Sequence, residues 1–253
     1  LNISSTFVET NCFWCVNDSI TRQRFQELKQ EGLDGMLISA NPFLAEYVPL
    51  ENIDRGIRIA RDVYRPENVI IYHPLLYEGL LRLGVKGKIK FEKYWDMMIK
   101  TYPSLLEAGF MPSIILPMGR LPYKLEHLYS KFPAKAFFNE NCLYELTRPW
   151  HIHVDCYCNY IPGYCAGITL GDARKLESII VGVNLNDRPI LKTLATSIGK
   201  FYEYAAREHG YKEKAEGYIS KCHLCIDIRM HIIQQTEEYK ELKPIEFYNH
   251  ILD

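Results

Sequence analysis

The cysteine pair Cys222 and Cys225 is the feature that most constrains the fold of this chain. Two residues separate the pair, so both sulfur atoms can bind one centre. Further cysteines must then come from distant parts of the sequence to complete the coordination shell, which forces those segments to meet. Sulfur shells of this kind hold zinc or an iron–sulfur cluster. The identity of the centre decides whether it is structural or redox-active.

Four of the eight cysteines are the candidate ligands of this centre. The pair Cys222 and Cys225 precedes a predicted helix that begins at Ile226, and the dipole of a helix favours a thiolate at its start. Cys165 has a glycine two residues away on either side, so we expect backbone amides to approach its sulfur. Cys142 has an alternative interpretation as a small buried apolar residue. The candidate set is Cys142, Cys165, Cys222 and Cys225, with two basic neighbours, Lys221 and Arg229, that add positive charge.

The other four cysteines are weaker candidates. Cys156 and Cys158 lie two residues apart on a predicted strand and therefore point to the same face. They either join the centre or have no ligand role. Cys12 and Cys15 have no two further thiolates nearby in the sequence, so we expect them to pack together after the first strand.

Three polar residues near the cysteines have open roles. His153 and Asp155 either form hydrogen bonds to the ligands or, in the case of the histidine, occupy an ordinary place in the core. His223 lies between the paired cysteines and either points to solvent or donates to the centre.

Composition restricts the class of protein. The formal net charge is −1, which gives no sign of a surface for nucleic acid or an anionic membrane. The apolar runs are too short to span a bilayer, and the chain does not open with an export signal. We therefore expect a cytoplasmic protein with reduced cysteines and no nucleic-acid or membrane partner. Disulfides in a secreted protein are the alternative.

Alternating strand and helix patterns predict a parallel α/β sheet in the first half. The predicted strands cover residues 3–10, 35–39, 69–72 and 113–116. Three helices are predicted in this half. Asp18 or Ser19 caps the first, which ends near Gly32. The second carries Ile53, Ile57 and Ala60 on one face, and the third covers residues 91–107. Such units either close into a TIM-like barrel or stay open, and functional residues gather at the carboxyl ends of the strands.

The pattern changes near residue 121. A short strand or a hairpin is predicted over residues 151–161, followed by helices over residues 189–209 and 226–239. We therefore divide the chain into a barrel-like part, residues 1–125, and a small cysteine-rich α+β appendage, residues 126–253.

Several of these motifs together resemble radical S-adenosylmethionine enzymes. Thr-Asn-Cys at residues 10–12 resembles the Thr-Asn-Gly that ends their third strand. The segment 32–41 is similar to their fourth-strand pattern Gly-x-Asp-x-x-x-Ile-Ser-x-Asp, with Asn41 in place of the last residue. The stretches 153–165 and 218–225 resemble the auxiliary-cluster region of family members with a SPASM or twitch-type C-terminal domain, although glycine is usual where Cys158 stands.

The resemblance implies a partial (β/α) barrel that lacks its first strands, followed by an auxiliary [4Fe–4S] domain. In that case the cluster takes Cys142, Cys165, Cys222 and Cys225 as ligands. S-adenosylmethionine and a second [4Fe–4S] cluster belong to the intact enzyme, and four residues match positions near the S-adenosylmethionine: Thr10, Asn11, Ser39 and Asn41. The implied partners are a peptide or protein substrate and an electron donor such as ferredoxin or flavodoxin.

One departure from the family is decisive. The Cys-x-x-x-Cys-x-x-Cys motif that binds the catalytic cluster does not occur in the 253 residues, nor does the Gly-Gly-Glu of the second strand. We expect that both lie upstream of Leu1, and that this chain alone does not cleave S-adenosylmethionine. The alternatives are a zinc-stabilised α/β structural protein and a non-catalytic binding subunit.

Overall fold

A computed structural model describes residues 4–104 and 115–252 of the chain. The chain forms two compact units, Leu1–Phe110 and Met111–Asp253. The division between them comes before the boundary expected after residue 125. Each unit has its own sheet and its own buried core.

The first unit is a parallel sheet with helical connections. In chain order, its elements are β1 (Phe7–Thr10), α1 (Asp18–Gln30), β2 (Gly35–Ser39), α2 (Pro42–Ala45), α3 (Leu50–Tyr64), β3 (Val69–Tyr72), α4 (Pro74–Arg82) and α5 (Phe91–Thr101). The strands are parallel in the order β1-β2-β3, with Thr10 paired to Ile38 and Ser39 to Tyr72. The predicted α/β class is confirmed. Three parallel strands neither show nor exclude a partial barrel.

Two helices of this unit follow the sequence pattern closely. Helix α3 packs against β2 and β3, and it buries Ile53, Ile57 and Ala60 as expected. Helix α1 begins at Asp18, but its cap is Asn17 and not the expected Asp18 or Ser19. The Asn17 side chain accepts a hydrogen bond from the backbone N–H of Ile20 at 2.9 Å, which satisfies a donor that the helix itself leaves free.

Three predicted boundaries differ from the structure or lie partly outside it. The strand expected over residues 3–10 begins at Phe7, and residue 3 lies outside the described residues. The helix expected over residues 91–107 ends at Thr101, and its last three positions are also outside. In the strand expected over residues 113–116, the two described residues, Ile115 and Leu116, are not in a strand.

The second unit combines short helices with a small antiparallel sheet. In chain order, its elements are α6 (Leu121–Lys124), α7 (Leu143–Thr147), β4 (Ile152–Val154), β5 (Asn159–Pro162), β6 (Gly171–Asp172), α8 (Leu176–Ile180), α9 (Pro189–Thr196), α10 (Ile198–His209), α11 (Lys221–Ile233) and α12 (Ile245–His250). The sheet order is β4-β5-β6, so the predicted hairpin over residues 151–161 is confirmed.

The helix expected over residues 189–209 is interrupted at Ser197. Its backbone is extended there, and its hydroxyl accepts a hydrogen bond from the Lys200 N–H at 3.0 Å. The next two amides, of Ile198 and Gly199, donate to carbonyls of the segment before α7. Two helices, α9 and α10, therefore replace the expected continuous helix, because Ser197 caps the second of them. The expected end at Gly210 is confirmed, because this residue adopts the left-handed conformation.

None of the helices in the described ranges combines the length and the apolar composition that a bilayer span requires.

The contact between α3 and the Cys12–Cys15 segment provides a test of the first unit. A methyl group at Gly56 would lie 2.3 Å from Cys12 Sγ and 3.3 Å from Cys15 Sγ. We expect Gly56→Ala to lower the free energy of unfolding by about 2 kcal/mol, despite the better helix propensity of alanine. Denaturant unfolding measures this.

The control for this substitution is Arg61→Ala on an exposed position of the same helix, which should change stability by less than about 0.5 kcal/mol. Adding Cys12→Ala to Gly56→Ala should recover part of the loss, because it removes the sulfur that the new methyl group meets. A stabilised Gly56→Ala protein would contradict the close packing described here.

Candidate functional site

The four candidate cysteines line one cavity in the second unit. The cavity has a volume of about 40 Å³. Cys142 immediately precedes α7, Cys165 lies in the loop after β5, and the other two belong to the first turns of α11. Cys142 and Cys225 are each 7% exposed. Three segments separated by up to about 80 residues of chain thus place cysteines on one cavity wall.

Helix α11 begins earlier than the sequence pattern predicts. It covers Lys221–Ile233, whereas a helix over residues 226–239 is expected, so the paired cysteines lie inside it. The Ser220 hydroxyl caps it by accepting from the His223 N–H at 3.1 Å. Within the helix, Cys222, Cys225 and Arg229 are three and four residues apart and share one face, which lines the cavity.

The backbone fixes the other two cysteines. The Cys142 N–H donates to the Leu194 carbonyl at 2.9 Å, and the Cys142 carbonyl accepts from the Leu146 N–H at 2.9 Å. Cys165 lies in a turn in which its N–H donates to the Pro162 carbonyl at 3.0 Å. The expected N–H···S bonds are not provided by Gly163, Cys165 or Ala166, because their amides donate to backbone carbonyls.

Burial keeps three of the four thiols, those of Cys142, Cys165 and Cys222, in their neutral form. It raises the pKa of Cys165 to about 11 and that of Cys222 to about 12, with a further contribution from Cys225. Burial also raises the pKa of Cys142, and the neighbouring Cys225 and Cys165 raise it further. Cysteines that influence one another in this way lie close together. Binding a metal here would require them to lose their protons.

Arg229 places a buried positive charge beside the cysteines. It is 3% exposed. Its guanidinium donates to the Ala166 carbonyl at 2.8 Å, the Tyr248 hydroxyl at 2.8 Å and the Cys225 carbonyl at 3.3 Å. In the described part of the chain, no carboxylate forms an ion pair with it. Burial opposes the charge, but Tyr248 and Cys225 raise the pKa of Arg229, so the group remains a cation.

A second cation lies at the edge of the same cavity. Lys221 Nζ is 2.7 Å from Glu145 Oε1 and 3.0 Å from the Asn141 carbonyl oxygen. Lys221 and Glu145 both line the cavity. This cation is therefore already paired, whereas Arg229 is not.

The four cysteines line a cavity, but their sulfur atoms are not arranged around one metal ion. Within residues 4–104 and 115–252, no three His, Cys, Asp or Glu side chains are arranged to hold a metal ion. The donor set is nevertheless four free thiols on one wall, with two cations beside them. Such a set suits a thiolate-bound, net-negative group.

The remaining cysteines lie elsewhere. Cys156 and Cys158 belong to the turn between β4 and β5 and not to a strand, so the expectation that they share a strand face is wrong. Asp155 forms this turn by accepting from the N–H groups of Tyr157 and Asn159. Neither cysteine lines the cavity, and Cys156 is exposed.

Cys12 and Cys15 form a buried pair in the first unit. Both are fully buried. A thiol hydrogen bond to Cys15 and burial raise the pKa of Cys12, and the same hydrogen bond lowers the pKa of Cys15. The pair packs against α3 at Gly56, in agreement with the expectation that these two cysteines pack together after the first strand.

The structure also defines the surroundings of the two histidines whose roles the sequence leaves open. His153 is exposed and contacts His151, so it is not a core histidine. His223 is 1% exposed and packs against the rings of Tyr123 and Tyr218, so it does not point to solvent. Burial lowers the pKa of His223 to about 4, which keeps its ring neutral.

The residues matched to S-adenosylmethionine positions have local partners. Thr10 and Ser39 end neighbouring strands, and Ser39 Oγ donates to Glu9 Oε1 at 2.8 Å. Thr10 Oγ1 accepts from the Cys12 N–H and the Trp14 indole. The Asn11 and Asn41 side-chain oxygens accept from the N–H groups of Phe13 and Leu44. Each of these oxygens therefore supports the local fold.

Sequence reasoning did not identify Glu145 or Tyr248 as parts of the site. Tyr248 lies on α12, and its hydroxyl donates to the Gly167 carbonyl and accepts from Arg229. Burial raises the pKa of Tyr248 to about 12. No spacing links this tyrosine to the cysteines, so the sequence carries no signal for it.

The cap of α11 offers a test of the site's framework. Ser220 also donates to the Pro117 carbonyl at 2.7 Å, so Ser220→Ala removes two hydrogen bonds. We expect the free energy of unfolding to fall by about 1–2 kcal/mol. The matched control is Ser178→Ala on the exposed α8, which should change it by less than about 0.5 kcal/mol. Equal effects of the two substitutions would contradict the capping role.

Comparison with known proteins does not assign the site. The chain matches no protein-family model, no curated protein and no solved structure. The functional conclusion therefore depends on the residues of the cavity.

Proposed function

We propose that this chain is part of a radical S-adenosylmethionine iron–sulfur oxidoreductase, and that its second unit holds an auxiliary [4Fe–4S] cluster. The ligands are Cys142, Cys165, Cys222 and Cys225. The observation that carries the proposal is the buried Arg229, which faces these cysteines without a carboxylate partner. A buried charge is costly unless it is compensated. A thiolate-bound cluster would supply the missing negative charge.

The charges around the cavity fit a negative centre. Arg229 and Lys221 line its wall, and the two cysteines of α11 lie in the first turns of the helix, where free N–H groups favour negative charge. Arg229 and Lys221 also lower the pKa of Cys222, against the effects of burial and of the neighbouring cysteines. The site therefore offsets part of the cost of ionising its thiols.

The space between the cysteines favours a cluster over zinc. Zinc–sulfur bonds of about 2.3 Å bring four sulfurs into contact around one ion. A cubane cluster bonds each cysteine to a separate iron and fills the volume between them. Because no three cysteines of the described residues are arranged around one ion, we favour the second arrangement.

When bound, such a cluster supplies one-electron transfer. The protein's own residues hold the charge and the geometry. Arg229 and Tyr248 together fix the loop at Ala166 and Gly167, which carries Cys165. Burial of Cys142 and Cys225 limits access of water to the site. We propose a ferredoxin or flavodoxin as electron donor and a peptide or protein as substrate.

The proposal does not include S-adenosylmethionine cleavage by this chain alone. The catalytic cysteine motif does not occur in the sequence. The side-chain oxygens of Thr10, Asn11, Ser39 and Asn41 have local partners, so no binding step is derived for them.

Metal analysis of the full chain tests the cluster assignment. After anaerobic reconstitution with iron and sulfide, we expect about four iron atoms and four sulfides per chain, with a broad absorbance near ~400 nm. Cys222→Ala should abolish the bound iron and sulfide and the absorbance, and it should destabilise the second unit, because metal binding is coupled to folding. Cys156→Ala and Cys12→Ser are matched controls that should keep the full iron content. Stoichiometric zinc without iron would establish the zinc alternative instead.

Arg229 provides an independent test of the charge argument. Arg229→Met should accelerate the loss of iron to a chelator by about tenfold or more, because it removes a group that stabilises the thiolates. Arg229→Lys keeps the charge and should lose iron more slowly than Arg229→Met. The control is Arg174→Met, an exposed arginine paired with Asp172 outside the cavity. Identical rates of iron loss for Arg229→Met and the unchanged protein would contradict the proposal.

A further inference from the structure

A second, larger cavity of the second unit has no role in the proposed cluster site. Its volume is about 490 Å³, within the range of ligand pockets. Its walls come mainly from aliphatic side chains of α7, α8 and α9 and of the loop that joins α8 to α9. Several of these side chains are unusually exposed for apolar residues: Leu143 at 52%, Leu176 at 41% and Ile180 at 74%. An apolar surface of this kind marks a binding site.

Arg148 is the one charged side chain among the residues that line this cavity. In the described residues no carboxylate forms an ion pair with it, and its Nε is buried without a hydrogen-bond partner. Its guanidinium lies 4.7 Å from the ring centre of Trp150 and about 5 Å from those of Tyr144 and Tyr164. These rings hold the cation in place at the edge of the apolar wall. The combination is complementary to a carboxylate attached to aliphatic groups.

The surroundings of Arg148 favour an extended peptide over a small molecule. Tyr144 is 61% exposed and Trp150 65%, so the aromatic surface continues beyond the cavity. Strand β4 begins two residues after Trp150 and, within the described residues, pairs only with β5. Its other edge leaves backbone N–H and C=O groups free to pair with an added strand.

We infer that this cavity and its aromatic edge bind a peptide segment that carries leucine-like side chains next to an acidic residue. The aliphatic side chains enter the cavity, and the carboxylate pairs with Arg148. Leu146 lines both this cavity and the cysteine cavity, so one side chain of α7 separates the bound segment from the proposed cluster. The identification of the bound peptide segment as the substrate rests on the proposed function, whereas the binding of the segment does not.

Binding of a synthetic peptide to the full chain tests the inference without any measurement of activity. The probe is fluorescein-labelled Leu-Leu-Glu-Leu with a blocked carboxyl terminus, compared with the Leu-Leu-Gln-Leu counterpart by fluorescence anisotropy. We expect saturable binding of the glutamate peptide and about tenfold weaker binding of the glutamine peptide, because only the former forms a charge-assisted pair. Arg148→Gln should remove this difference.

Two substitutions on neighbouring exposed residues provide a matched pair. Ile180 lines the cavity, whereas Val181 is 90% exposed and does not line it. Ile180→Asp should weaken binding of the glutamate peptide at least about tenfold by placing a like charge beside it. Val181→Asp should leave binding unchanged. Because both residues are exposed, neither substitution should affect folding, which thermal unfolding checks.

Several results would overturn the inference. The first is equal affinity for the two peptides. The second is the absence of saturable binding at millimolar peptide concentration. The third is an equal effect of Ile180→Asp and Val181→Asp on peptide affinity. Binding of decanoate without binding of the peptide would assign the cavity to a small aliphatic acid. Self-association in sedimentation velocity that Ile180→Asp abolishes would assign it to a second copy of the chain. Iron content of the same samples is measured separately, so failure of the peptide site is distinguishable from failure of the cluster site.

Discussion

The buried charge of Arg229 is the constraint on which the account of the second unit depends. A guanidinium that is removed from water and has only carbonyl and phenol partners is stabilised incompletely. Its neighbours are the four cysteines of the cavity, and burial raises the pKa of three of them, Cys142, Cys165 and Cys222. The buried cation is unfavourable without a negative partner, whereas neutral buried thiols are not. In the proposed site, ionised thiols bound to metal would supply the negative charge that balances Arg229.

The four cysteines that the sequence groups together line one cavity, but the sequence did not predict the geometry of the helix that carries two of them. The two-residue spacing of Cys222 and Cys225 is compatible with a loop or a helix, and the expected helix started after them. Helix α11 lacks an apolar stripe, because residues as different as His223, Ile226 and Arg229 are buried around it. Periodicity therefore gave no signal for its start. The capping residue Ser220 carried that signal, three positions before His223.

Local hydrogen bonding explains most of the other differences. Asp155 forms a turn where a strand was expected, and Ser197 starts a new helix where one continuous helix was expected. The residues matched by resemblance, such as Asn11 and Asn41, use their side chains to satisfy nearby amides. Short polar side chains compete for backbone groups in this way without changing the apolar pattern. The parallel sheet was predictable because buried strands and the periodic face of α3 depend on that pattern.

The short helix α7 links the two cavities of the second unit. Cys142 precedes it, Leu146 lies on the wall of both cavities, and Arg148 follows it. A displacement of this helix would therefore change both the cysteine site and the apolar cavity.

X-ray absorption at the iron and zinc edges, on protein purified anaerobically without added metal, tests the central claim most directly. A bound cluster gives an iron signal with sulfur neighbours and a second shell of iron, which Arg229→Met weakens. A zinc signal with sulfur neighbours alone, at about 2.3 Å, would contradict the cluster assignment.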